Sequence, residues 1–146
     1  MITNILPLTK AHPVRTLEPG ELLIEAGESG GELYVLQSGR LSVIRDGVEI
    51  AVVREPGAML GEMSVLLGED HSASVKALEP SEVRVIENAI GFLEQTPIVA
   101  LAVATMACER LNRTSALLVE MKKQAGKSEQ GLLERIFGAV SGTGGR

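Results

Sequence analysis

The stretch "ELYVLQSGRLSVIRDGVEIAVV", residues 32–53, decides the fold. Its β-rich runs ELYVLQ, RLSVIR and VEIAVV are separated only by Ser38-Gly39 and Asp46-Gly47. An Asp-Gly pair between two such runs is a strong hairpin signal, because the tight turn that matches strand twist needs positive φ. In RLSVIR, alternation puts Leu41 and Val43 on one face and Ser42 on the other, toward water, and Arg45 is expected in water too.

The same pattern extends outward from residue 14 to residue 86. Glycines at 20, 27, 30, 31, 39, 47 and 57 punctuate it, and most of them read as ordinary turn residues. Two more strands, 74–78 and 82–86, flank the turn Glu79-Pro80-Ser81. Short strands at this spacing with no helices between them predict a sandwich or small barrel rather than a parallel sheet. After Glu87 the apolar period lengthens. "NAIGFLEQ" reads as a short helix, and Thr96 then caps a long one with Pro97 at its first position. Nothing breaks that helix before Gly126, so it runs for about 28 residues and about 42 Å. A heptad fits it, with Ala104, Leu111 and Leu118 on one position and Ala107, Thr114 and Met121 on its partner. Val103 and Leu117 lie beside that stripe, and the excess apolar surface predicts a homodimer through the helix. The reading without a partner is a helix laid along its own barrel. In the remaining tail Leu132, Leu133, Ile136, Phe137 and Val140 share a face, and the final "SGTGGR" is expected to be mobile. The chain thus divides into a barrel (1–95), its long helix (96–125) and a short helix with a flexible end (126–146).

Composition narrows the function classes. The chain has 146 residues, 45% of them hydrophobic, which suits one domain with a real core. Two Phe, one Tyr and no Trp leave no stacking platform for single-stranded nucleic acid. A net charge of −5 speaks against binding a phosphate backbone, so no nucleic-acid partner is expected. The single cysteine fits a reducing, cytoplasmic setting. The first residues lack the pattern of a signal peptide, and the longest apolar run is too short to span a membrane.

No HExxH, CxxC, GxSxG or Walker pattern is present, and Cys108, in mid-helix, reads as a small core residue. No enzyme, metal or cofactor is expected. Glu62, Asp70 and His71 are a weak metal set. Anion binding is better supported. Gly61 opens "GEMSVLLG", a turn or two of helix whose first N–H groups are free for an anion. Glu62 would repel a phosphate but could accept a hydrogen bond from a sugar hydroxyl. Ser72 and the amide of Ala73 would add donors. On spacing alone Glu62 reads first as a favourable charge on the helix dipole.

The runs "VRTLEPGELLIEAGESGGELYVLQSGRLSVI" and "LGEMSVLLGEDHSASVKALEPSEVRVI" together resemble the cyclic nucleotide-binding domain. This is the barrel of the catabolite activator protein and of protein kinase A regulatory subunits. The resemblance covers about residues 14–124, with glycines 20, 27 and 39 at the family's turns. It implies a mainly β fold with flanking helices: a double-stranded jelly-roll β-barrel followed by a long C-terminal dimerisation helix. It also implies a phosphate-binding cassette at residues 61–73. Gly61, Glu62 and Met63 match the cassette's opening, where Glu holds the ribose hydroxyl. Ser72 and Ala73 match donors to the cyclic phosphate. On the long helix "RLNRTS" resembles the segment that approaches the ligand, which puts Arg110, Thr114 and Ser115 in the site, the last two near the base. For Thr114 the alternative is a polar heptad residue that sets register.

The departure is His71, which stands where the family keeps an Arg that pairs with the phosphate. A neutral imidazole lacks the planar, permanently charged fork of Arg, and the lost contacts are worth about 1.5–3 kcal/mol. Protonation against an anion would recover part of this. The expectation is a stand-alone, non-enzymatic regulatory or sensor module that binds cAMP, cGMP or a related cyclic nucleotide, is homodimeric, and acts on an effector protein in trans. The alternative is a dimeric interaction module with a degenerate pocket. DNA-binding relatives carry a helix-turn-helix after the long helix. The stretch after Gly126 is too short for one, although "GLLERIFGAV" resembles its first helix.

Overall fold

The computed structural model describes the backbone of residues 4–141, and their side chains apart from 127–133, 135, 136 and 138–141. Eight antiparallel strands form two four-stranded sheets. They are β1 (Val14–Leu17), β2 (Leu22–Ile24), β3 (Leu33–Ser38), β4 (Leu41–Arg45), β5 (Val48–Val53), β6 (Met59–Leu60), β7 (Ser74–Ala77) and β8 (Ser81–Ile86). One sheet has the order β1-β8-β3-β6 and the other β2-β7-β4-β5. This is the jelly roll that the short-strand pattern and the resemblance imply. The central hairpin forms as expected: Asp46 and Gly47 take φ of 51° and 77°, and Arg45 pairs with Val48.

Between the sheets lies an aliphatic core of Leu17, Leu23, Leu36, Leu41, Val75 and Val83, with Tyr34 at its side. β3 is buried on both faces, because a 3-10 turn (Leu6–Thr9) and the short helix α1 (Glu62–Leu67) also pack against it. That explains why its LYVL run is apolar without alternation. Helix α2 (Ala89–Gln95) is capped by the Asn88 side chain, which accepts from the Gly91 N–H at 3.2 Å. Helix α3 (Pro97–Ser141) is broken at Gly126, where φ 56° and ψ −161° leave the helical region. The sequence expected a stop at that glycine.

Two compact units divide after Ala104. In the first, Val99, Ala102 and Val103 from the opening turns of α3 are buried. In the second, Leu111, Leu117, Leu118 and Met121 are exposed in the single chain. The side chains of the tail residues Leu132, Leu133, Ile136 and Val140, and all of 142–146, lie outside the described residues. No single helix among the described residues is long and apolar enough to cross a membrane.

Two expectations are corrected. Ser42 does not face water: it is 1% exposed and donates its hydroxyl to the Glu49 carboxylate across the hairpin. β4 lies between β5 and β7, and a register shift after Val43 interrupts the simple alternation. Cys108 is not a core residue but exposed, since it lies past the turns of α3 that are buried.

The β3–β4 turn supplies a stability test. Gly39 has φ of 99°, and a Cβ there would lie 2.6 Å from the Ser81 backbone as well as against its hydroxyl. Gly39→Ala therefore combines backbone strain with a clash that a rotamer change cannot relieve. A loss of about 2–4 kcal/mol is expected in urea denaturation. A loss below about 1 kcal/mol would show that the turn opens easily.

Candidate functional site

Gly61 lies between β6 and α1 with φ of 86°. A Cβ at this position would sit 2.8 Å from the Glu32 carbonyl oxygen, so both the angle and the close approach require glycine. The turn delivers the chain into α1 with Glu62 in its first turn. Glu62 is 6% exposed, whereas the neighbouring Met63 side chain is 57% exposed. A carboxylate at a helix start gains from the dipole and the free N–H groups there, which offsets its burial. Gly68, with φ of 65°, ends the helix and donates its N–H to the Ser64 carbonyl at 2.9 Å.

The chain returns past the candidate residues His71, Ser72 and Ala73 into β7. His71 is tied by its backbone to the β2–β3 loop: its N–H donates to the Glu28 carbonyl at 2.9 Å, and its carbonyl accepts from the Gly27 N–H at 2.8 Å. The Ser74 hydroxyl accepts from the Ala26 N–H at 2.9 Å, one step further along the same seam. The His71 ring turns inward. Its Nδ1 is hydrogen-bonded to Oγ of buried Ser64 at 2.9 Å, and its Cε1 lies 3.8 Å from where a Gly61 Cβ would be.

The structure thus brings Gly61, Glu62, Met63, His71, Ser72 and Ala73 into one corner of the first unit. Arg110, Thr114 and Ser115 lie on α3 in the second unit, Thr114 and Ser115 being exposed. Sequence reasoning missed two members of the corner, Ser64 and Gly30. A Cβ on Gly30 would meet the Ser64 Cβ at 2.6 Å and the His71 ring at 3.0–3.1 Å. Gly30 is not among the positive-φ glycines, so its requirement is for space. The adjacent pair Gly30-Gly31 was a signal, but it reads as a turn until the imidazole is seen beside it.

The corner is acidic. Glu25, Glu28 and Glu32 lie in the β2–β3 loop, and Glu62, Glu69 and Asp70 lie in the cassette. No Lys or Arg occurs between Arg15 and Arg40 or between Arg54 and Lys76. Burial pushes the Tyr34 phenol above its usual range, with Glu32 adding to the effect. Among the described residues no three His, Cys, Asp or Glu side chains gather as a metal site would need. His12 packs edge-on against Phe92, with ring centroids 5.0 Å apart, beside a separate cavity of about 450 Å³. That cavity contains none of the candidate residues.

With this geometry in place, comparison with known proteins is decisive for the family. The model of the cyclic nucleotide-binding domain matches residues 14–96, more than half of the chain, and the chain belongs to that family. A cGMP-dependent protein kinase of Eimeria tenella is 35% identical over 74 residues, 51% of this chain and 7% of the kinase. The acetyltransferase Pat of Mycolicibacterium smegmatis is 35% identical over 75 residues, 49% of this chain and 22% of that protein. The chain therefore spans only a small part of these relatives. The catabolite activator protein of Thermus thermophilus superposes with a TM-score of 0.69 at 26% identity, covering 80% of this chain and 58% of that one.

The Gly61 turn can be tested directly. Gly61→Ala should lower stability by about 1–3 kcal/mol and speed hydrogen exchange at the His71 amide, because the loop that accepts its bond is displaced. Unchanged exchange at His71 would separate the turn from the seam.

Proposed function

We propose that the chain is a non-catalytic regulatory module that binds a cyclic nucleotide, cAMP or cGMP, in the corner formed by residues 61–73. The observation that carries this reading is the Gly61 turn, which delivers a buried Glu62 beside His71, Ser72 and Ala73 within the family-matched residues. In this reading Glu62 accepts from the ribose hydroxyls, and Ser72, the amide of Ala73 and a protonated His71 hold the cyclic phosphate. Met63 lines the opening. By the resemblance, Arg110, Thr114 and Ser115 of the long helix are further ligand-binding candidates, the last two for the base. The barrel (1–95) is the ligand-binding part, the helix (96–125) belongs to the same domain, and a short helix with a flexible tail (126–146) follows. No cofactor, nucleic acid or membrane is required, the setting is cytoplasmic, and the output passes to an effector protein.

A second reading is favoured by one specific observation: Nδ1 of His71 is already engaged by Ser64, and the cassette holds no Lys or Arg. On that reading the pocket no longer binds nucleotide and the module acts by protein contact.

Calorimetry with cAMP and cGMP at pH 7.5 and 6 distinguishes the two. An anion that prefers imidazolium binds with proton uptake, so affinity should rise as pH falls across the range where imidazoles gain charge. His71→Arg should tighten binding about ten- to hundredfold at pH 7.5 and flatten the pH response. Glu62→Ala should weaken it at both pH values. If wild type and His71→Arg are both inert toward both nucleotides, the interaction-module reading takes over.

We further propose a two-fold dimer through the α3 face containing Leu111 and Leu118, which are 67% and 45% exposed in the single chain. Sedimentation should give a dimer at tens of micromolar, and Leu111→Asp with Leu118→Asp should give monomers with an intact barrel. A wild-type monomer at that concentration would refute the dimer.

A further inference from the structure

The Ser64–His71 contact joins two side chains from different elements in a slot that Gly30 keeps open. A serine hydroxyl has one proton and two lone pairs, so it can act as donor or acceptor at the same place. Toward a neutral imidazole it donates its proton to Nδ1 when the ring hydrogen is on Nε2, and accepts from Nδ1–H in the other tautomer. Toward an imidazolium it accepts from Nδ1–H at the same separation. The Ser64 Oγ to Nδ1 distance of 2.9 Å suits both arrangements. Glycine at 30 and 61 leaves room for the ring, since a Cβ at 30 would meet it at 3.0–3.1 Å and one at 61 at 3.8 Å, and its backbone is pinned to Gly27 and Glu28. It can therefore gain or lose its proton without moving.

The surroundings give that proton its importance. The titratable groups on the elements around the ring are Glu25, Glu28 and Glu32 from the β2–β3 loop, Tyr34 from β3, Glu62 from α1, and Glu69 and Asp70 from its own segment. All are acids. In residues 25–32 and 61–73 His71 is the only basic side chain.

We propose that Ser64 is the positioning residue of the anion site, holding His71 in one place in both charge states, so that the site's affinity for a cyclic monophosphate is set by a proton rather than by a rearrangement. Gly30 provides the space in which this happens. The inference rests on the nucleotide reading above, and one part of its test is independent of that reading.

That part is a nitrogen-15 spectrum of the imidazole in the ligand-free wild-type protein. A single neutral tautomer is expected. Ser64→Ala should give the mixture typical of a free histidine. A mixture in wild type overturns the assignment of Ser64 and needs no variant to fold. The second part is cAMP and cGMP affinity at pH 6 and 7.5. Ser64→Ala should lose about five- to tenfold at pH 6 and much of the wild-type pH dependence, and His71→Gln should abolish that dependence. An unchanged pH profile in Ser64→Ala overturns the proposal. A single tautomer with no nucleotide bound at either pH refutes the ligand reading and upholds the positioning role of Ser64.

Discussion

Two backbone hydrogen bonds, between His71 and the pair Gly27 and Glu28, tie the loop that joins β2 to β3 onto the segment that follows α1. The candidate site depends on this seam. It stacks the β2–β3 loop on the cassette, brings the Glu32 carbonyl against the Gly61 turn, and leaves Gly30 facing Ser64. Without it, residues 61–73 would be a surface excursion with no fixed corner. β7 continues the same pairing, with Leu22 opposite Lys76 and Ile24 opposite Val75. The site is thus an extension of sheet order into a loop, and its precision comes from the barrel.

The barrel can impose that order because its core is aliphatic and closed. Leu33, Val35 and Leu36 on β3 have no measurable exposure, and β8 pairs with β3 on one side and β1 on the other. Side chains packed at this density leave few alternative rotamers, so the loops at the barrel's rim inherit fixed starting points. An acidic surface around the corner then acts against an anionic ligand. Within residues 25–32 and 61–73 the one basic side chain is His71.

The fold was legible because its signals are local. Asp46-Gly47 encodes a turn through φ alone, Thr96-Pro97 marks a helix start, and Gly126 marks its end. The cassette residues were proposed through their resemblance to a known pattern. What could not be read were contacts between segments far apart in sequence. Gly30 looks like any turn glycine until Ser64 and His71, more than thirty positions away, are placed beside it. Ser42 was misjudged for a related reason, since strict alternation cannot anticipate a carboxylate reaching across the hairpin to satisfy a buried hydroxyl. Cys108 was assigned to the core from residue type and mid-helix position, but the structure exposes that part of the helix.

The Gly30 slot makes three positions behave as one. A larger residue at 30 needs a smaller side chain at 71, and a change at 64 removes the hydrogen bond to the ring. Substitutions at the three sites should therefore be strongly non-additive, because each alters the meaning of the others. For divergence within this family, the passage from a permanently charged anchor to a titratable one would then be coupled to what stands at 30 and 64.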